Sequence, residues 1–566
     1  MSSPSTKVSL STYLFLRLQE IGVYHVFGIP GDYVLPLFDE LIDQDHGVDH
    51  VLVCNELNGA YAADGYSKMS GFGAVAVTFG VGSLSAANAV GGAYADSTPM
   101  ILIAGTPTVE VLSTPTARKL HHVLDTNFDA CLEAFRPITA ASHRLTRLET
   151  APTEIDNIIR TALQKKKPVY LEIPYDLQLA EVDLPVEPFD LLLRQSSRVN
   201  LKAALCHAVG LLNSSKTRCV VTGHLLQREK LIEDTETLVD DLNASVATTF
   251  VGKIPTFEGH PNAAGLYMGA MSCDATKTIV ETADLAIVAG MTFNEFDMGI
   301  FTSKIGVDQD CIWMDFDQVI INNQVYGQVY LRDFLPELVK EAELDQARTL
   351  DIPKDARLFH FQRSDAFEPT DAKLTIDRLF IQLATYAETG DVMYGDTGGY
   401  INAAQAEYPA GVDIHGCGNY GSLGAGFALF CGGIFTPDAA GRRCYMITGD
   451  GAFHMTAQEL STLIKYEADC VLFILDNKGY GAERQIYPGK ERSYNNTPLW
   501  NYEELGSAFG GVEGKTCTSF VVRTEKDMAK VLGKLYEPKG VNIVRILLDP
   551  WDTAAFNIKF SEALRH

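Results

Sequence analysis

Two short runs near the C-terminus carry the side chains that cations prefer. Gly449-Asp450-Gly451 and Asp476-Asn477-Lys478-Gly479 each follow an apolar stretch that reads as a buried strand, residues 444–448 and 471–475. A helical pattern over residues 456–465 lies between them. If the two strands are neighbours, Asp450 and Asn477 stand at their carboxyl ends, where open α/β sheets bind ligands. A carboxylate, an amide oxygen and a backbone carbonyl are hard oxygen donors, a set that suits Mg²⁺ holding a diphosphate. Gly451 lets a backbone approach phosphates closely. Taken alone, each run is also an ordinary turn after a strand; their repetition on consecutive strands around one helix favours the metal site.

A second group is made of acids and imidazoles. In Cys54-Asn55-Glu56-Leu57-Asn58-Gly59-Ala60 a strand at 51–54 runs into a helix with Glu56 at the junction. An acid there can simply complement the helix dipole. His121-His122, Asp32 in Gly28-Ile29-Pro30-Gly31-Asp32, and Glu483 in Gly479-Tyr480-Gly481-Ala482-Glu483 complete the group. Singly, these read as a surface pair and as turn residues.

Three blocks must position these residues. In the first, residues 1–182, apolar runs at 51–54, 74–78, 100–104 and 169–173 alternate with helical patterns, which predicts a parallel sheet covered by helices on both faces. The second, residues 198–345, repeats the pattern at 219–222, 285–289 and 311–315; the third, residues 370–566, does so at 444–448, 471–475 and 541–548. The polar, proline-bearing stretches 183–200 and 341–374 read as connections. The expected fold is therefore three open parallel-sheet α/β domains, with no short-period repeat.

Residues 1–10 are polar and small, and residues 11–22 form an amphipathic helical pattern rather than a signal peptide. The apolar run 425–435 is too short to span a bilayer. A net charge of −26 argues against nucleic acid or an anionic membrane as partner. It leaves an anionic substrate open, because a bound metal can dominate a site. Eleven cysteines without a CxxC pair read as reduced thiols of a cytoplasmic protein.

At its chemistry-bearing residues the chain resembles the thiamine diphosphate enzymes, whose cofactor motif is GDG followed, after the next strand, by an Asn. The family usually has Asn-Asn where this chain has Asp476-Asn477; the ligand position, Asn477, is retained. The resemblance implies Mg²⁺ held by Asp450, Asn477 and the backbone oxygen of Gly479, with Gly451, Ala452, Tyr480, Gly481 and Ala482 about the diphosphate. It implies that Glu56 contacts the aminopyrimidine ring and supports the tautomer that takes the thiazolium C2 proton. In Gly421-Ser422-Leu423, the Gly421 carbonyl would accept from the 4′-amino group and Leu423 would lie beneath the bent cofactor. Thr397, Gly398 and Gly399 would flank the diphosphate–substrate corner, although the family often has Thr at the place of Gly399. Pyruvate and indolepyruvate decarboxylases carry the same acid after a first Pro-Gly turn, the His-His pair and the later Glu. The implied catalytic set is Asp32, Glu56, His121, His122 and Glu483, His121 mainly orienting the others. The match runs along essentially the whole chain.

That resemblance implies a lyase releasing CO₂ from a 2-oxo acid without oxidation, as a homodimer or homotetramer whose sites join the first block of one subunit to the third block of another. Pyruvate-specific members similar to this chain carry Ile before the catalytic Glu, where this chain has Ala482. The lost methylenes suggest a large or aromatic substrate such as phenylpyruvate or indolepyruvate, with Phe293, Phe296, Tyr400 and Ile401 as candidate pocket walls. Pyruvate is the alternative. An acetolactate synthase-like carboligase, often FAD-binding, would lack the His-His pair and later Glu; a non-catalytic subunit would have lost a core acid.

Overall fold

The computed structural model describes residues 7–114, 120–122, 124, 126–341, 356–364 and 366–565. Part of the polar start at 1–10 and of the connection at 341–374 therefore lies outside the described residues. Backbone contacts divide the chain into two compact units.

The first unit comprises Met1–Leu193 together with Tyr420–Gly441 and Met455–Ala468. Its sheet has six parallel strands, in the order Asp49–Leu52, His25–Gly28, Gly73–Thr78, Met100–Thr106, Val169–Pro174, Ala141–Arg144. Gly73–Thr78 and Met100–Thr106 are buried from end to end, as strands covered on both faces must be. Ser9 caps the amphipathic helix, which runs Leu10–Glu20. The largely buried helix Glu56–Ser70 packs against the apolar helix Ala425–Gly433, so the Gly-rich run 425–435 is a core helix.

The second unit comprises Arg194–Asn419, Arg442–His454 and Asp469–His566. It contains two sheets. The central one is ordered Ala263–Tyr267, Ser245–Thr249, Arg218–Thr222, Leu285–Ala289, Asp310–Met314, Gln318–Ile321, Gln324–Gly327. Its first five strands are parallel; the last two add an antiparallel hairpin that the sequence reading did not foresee. Asn322 and Asn323 form its two-residue turn, both at positive φ, a geometry asparagine tolerates well. The C-terminal sheet is all parallel, ordered Asp413–Gly416, Val392–Gly395, Cys444–Gly449, Cys470–Asp476, Val541–Leu547, Cys517–Val522. Phe250, Leu266 and Met268 of the central part share one apolar core with Leu379, Tyr400 and Val471 of the C-terminal part.

Both six-stranded sheets have the same topology. Numbered by sequence within its own sheet, each runs second, first, third, fourth, sixth, fifth. The order reverses between the first and third strands, so each sheet has a ligand-binding crevice at the carboxyl ends of that pair. One reading needs correction: residues 456–465 are not one helix. Helix Asp450–Thr456 begins at Asp450 itself, a tight turn follows at Ala457–Glu459, and a second helix occupies Leu460–Lys465.

Candidate active site

In the C-terminal sheet, the strands flanking the crevice end at Gly395 and Gly449, and the next strand over ends at Asp476. Asp396, Asp450 and Asn477 therefore follow on the same edge. Asp450 is 1% exposed. One of its carboxylate oxygens accepts the Gly451 N–H at 2.7 Å and the other the Gly479 N–H at 2.8 Å. Burial pushes the Asp450 carboxyl up to about 7, against the lowering effect of those two hydrogen bonds.

The side-chain oxygens Asn477 Oδ1, Asn495 Oδ1 and Thr497 Oγ1 are all buried with no hydrogen-bond partner among the described residues. Buried acceptors are ordinarily satisfied, so unpaired ones beside a buried carboxylate describe a site that expects a cation or a ligand. The residues present thus fit Mg²⁺ with a diphosphate. Tyr480 donates its N–H to the Asn495 carbonyl at 2.8 Å, and Ala452 is buried behind Gly451. Gly481 begins the helix Gly481–Ile486, on which Ala482 and Glu483 are exposed. Buried Asp396 caps the helix Thr397–Ala404 through the Thr397 N–H. A Cβ at Gly399 would lie 2.6 Å from the Ile447 carbonyl oxygen, which explains glycine where the family often has Thr. Gly398 borders open space.

In the first unit, Asp32 follows strand His25–Gly28 at that sheet's own crevice, and His121 and His122 follow strand Met100–Thr106. His121 Nε2 lies 2.5 Å and His122 Nε2 3.4 Å from the two carboxylate oxygens of Asp32. Burial alone would raise the Asp32 pKa, but the His121 hydrogen bond and the two imidazoles outweigh it and hold the carboxyl below its ordinary value. Tyr33 stacks on His121. His122 has a left-handed backbone, φ 67°, and a Cβ at Gly80 would collide with its carbonyl oxygen. Gly80, at the end of the neighbouring strand, is thus a requirement of this cluster that the sequence did not announce.

Glu56 stands in the first turn of its helix, capped by Asn55, whose side chain accepts the Asn58 N–H. Its approach was also missed in the sequence: buried Glu459 accepts the Cys54 N–H at 2.8 Å and the Asn58 amide at 2.9 Å, fixing the turn that presents Glu56. Gly421 has φ +65°, and the Ser422 hydroxyl bonds Tyr61 at 2.6 Å and Asn88 at 3.2 Å; Leu423 is half-buried beside them. The four proposed pocket walls do not share one lining. Phe296 and Tyr400 pack on Phe250 with Ile401 against the same core, whereas Phe293 stacks on Phe301 and packs at a tilt against Trp313.

Two doubly wound sheets of identical order, each with polar groups at its crevice, fit the class of diphosphate-cofactor enzymes. Comparison with known proteins supports that class. Residues 8–131 match the thiamine pyrophosphate enzyme N-terminal TPP binding domain, 205–338 the central domain, and 396–546 the C-terminal TPP binding domain. A protein named pyruvate decarboxylase 2 from Oryza sativa subsp. japonica is 33% identical over 532 residues, covering 93% of this chain and 86% of the relative. Pyruvate decarboxylase 4 from Arabidopsis thaliana is 33% identical over 551 residues, 94% of this chain and 87% of its own. A probable pyruvate decarboxylase from Schizosaccharomyces pombe is 29% identical over 564 residues, 98% and 96% of the two chains. The chain belongs to the thiamine diphosphate-dependent 2-oxo acid decarboxylase family. No helix among the described residues is long and apolar enough to cross a membrane.

Proposed function

We propose that the enzyme converts a 2-oxo acid with a large or aromatic side chain, of the phenylpyruvate or indolepyruvate type, to an aldehyde and CO₂. The observation that carries the aldehyde-forming reading is the Asp32–His121–His122 cluster, which holds exchangeable protons within reach of one another. The bound cofactor supplies the electron sink for the electrons left when CO₂ departs. Asp450, Asn477 and the Gly479 carbonyl would hold Mg²⁺; Thr397, Gly398, Gly399, Gly451, Ala452 and the Tyr480–Ala482 segment would flank the diphosphate. Gly421, Ser422 and Leu423 would serve the aminopyrimidine side with Glu56, which would hold and exchange a proton there. With the cofactor bound, Asp32, His122 and Glu483 would supply the proton needed after CO₂ leaves, the ionised Asp32 acting through the imidazoles it pairs with, and His121 would orient Asp32 through the 2.5 Å bond. The same proposal takes domain limits of 1–182, 198–345 and 370–566, sites completed by two chains of a homodimer or homotetramer, and a cytoplasmic setting in keeping with eleven free thiols.

Aldehyde and CO₂ release from 2-oxo acids graded from pyruvate to indolepyruvate, with and without thiamine diphosphate and Mg²⁺, tests the reading. Cofactor-dependent aldehyde with the highest kcat/KM on large acids is expected. The highest value on pyruvate, the substrate in the relatives' names, would replace the substrate class. A condensed acetolactate-like product would replace the reaction. Ala482→Ile is expected to move the preference toward pyruvate by roughly tenfold or more, since one methylene in an apolar pocket is worth about 1–3 kcal/mol. An unmoved ranking would remove Ala482 from the argument.

The Asp450 carboxyl adds a pH dependence. It must be ionised to hold a cation, yet burial raises its pKa to about 7. Mg²⁺ therefore displaces a proton at and below neutral pH. Affinity is expected to fall by up to about tenfold per pH unit below pH 7 and to level off above it. The metal-free protein is expected to show the opposite trend in stability. Between pH 3.8 and about 7 its folded site keeps a proton the unfolded chain has released, so this group's contribution declines as pH rises through that window. Mg²⁺ titrations at pH 6, 7 and 8 check the sign; equal affinity at all three would refute it.

A further inference from the structure

We propose that Arg484 is a positioning residue that locks the turn carrying two of the metal-ligand positions to the helix carrying Glu483. The proposal rests on the reading of Asp450, Asn477 and Gly479 as the Mg²⁺ site. Arg484 is 5% exposed and follows Glu483 directly on the helix Gly481–Ile486. One terminal nitrogen of its guanidinium donates to the Asn477 carbonyl at 3.4 Å, and the other donates to the Lys478 carbonyl and to Asn496 Oδ1, each at 3.1 Å. Its Nε faces Glu491 at 3.3 Å.

These contacts meet a backbone that needs support. Lys478 has φ 62° and Gly479 φ 135°, so two successive residues lie in the left-handed half of backbone space, the first with a Cβ. That turn is what brings the Gly479 N–H onto Asp450. It also leaves Asn477 Oδ1 without a protein partner. Strained turns persist where surrounding contacts over-determine them, and a planar guanidinium can span two successive carbonyls at once. Glu491 and Asn496 orient the guanidinium from the segment that follows the helix. Arg484 thus acts on the metal through the backbone of its ligands, and on Glu483 through their shared helix.

The test uses the full-length protein with Mg²⁺ titrated calorimetrically at saturating thiamine diphosphate, and amide hydrogen exchange of residues 478–482 in the metal-free protein. Arg484 also lines a cavity of about 250 Å³ with Trp551, Ile558 and Glu562, so Arg484→Met has room to repack. Arg484→Met is expected to weaken Mg²⁺ binding about 10–100-fold, the range for losing a group that orients metal ligands, and to speed exchange at 478–482. Arg484→Lys keeps the charge but reaches one carbonyl at a time, and is expected to fall between the two. Unchanged Mg²⁺ affinity in Arg484→Met, or Arg484→Lys equal to the parent in both readouts, would overturn the proposal. Asp450→Asn run alongside separates the failures. If Asp450→Asn loses Mg²⁺ while Arg484→Met keeps it, only the role of Arg484 fails. If neither variant loses Mg²⁺, the metal-site reading fails with it.

Discussion

Asp450→Asn is expected to cost the enzyme at least roughly 100-fold in Mg²⁺ affinity, and with it the Mg²⁺-dependent retention of thiamine diphosphate. Losing a group that merely orients a ligand already costs about 10–100-fold, and Asp450 is the only charged member of the proposed donor set. The variant separates binding from folding. The carboxylate is 1% exposed and accepts two backbone N–H groups. Asparagine keeps the shape and one acceptor oxygen but removes a buried charge whose ionisation burial already disfavours. Above pH 7 the metal-free variant should therefore be as stable as the metal-free parent, within about 1–2 kcal/mol for the one N–H left without its acceptor. Calorimetric Mg²⁺ titration with thermal unfolding of the metal-free proteins measures both sides. Parent-like affinity in a folded Asp450→Asn protein would remove the residue from the metal site.

Glu56→Gln is expected to lower kcat by about 10²–10⁴-fold, the usual contribution of a positioned proton-transfer group, while the cofactor still binds. Glutamine preserves the side chain's size, and nothing that fixes its backbone is touched: the Asn55 cap and the Glu459 bonds to Cys54 and Asn58 remain. Loss of turnover with normal cofactor affinity would mark a role in proton exchange rather than in binding. If kcat held to within a factor of two, Glu56 would be only a helix-terminal acid. The two variants also test site sharing. If one chain supplies Glu56 and another supplies Asp450, co-assembled Glu56→Gln and Asp450→Asn chains rebuild one intact site from two inactive parents. Verified mixed oligomers without recovered activity would refute sharing.

Much of the candidate site was legible because its motifs are local. Asp450, Asn477 and Gly479 lie within four residues of the end of a buried apolar run, and the strand at 285–289 appears in the structure as Leu285–Ala289. The hairpin strands were not legible: Gln318–Ile321 and Gln324–Gly327 are four residues each, too short for a periodic pattern to stand out. Nor was the shared strand order of the two six-stranded sheets, which is a property of pairing, not of composition.

The sequence by itself determined the α/β class, the carboxyl-edge placement of Asp450 and Asn477, and the acid–imidazole inventory. Hydrophobic periodicity and turn chemistry are set by side chains a few residues apart, so a linear reading reaches them. Only the tertiary structure decided that His121 reaches Asp32 across 89 positions, that Glu459 braces the turn before Glu56 across 405, and that burial lifts the Asp450 carboxyl to about 7. Such contacts and desolvation depend on the packing of elements distant in the chain, where no local pattern records which side chains will meet.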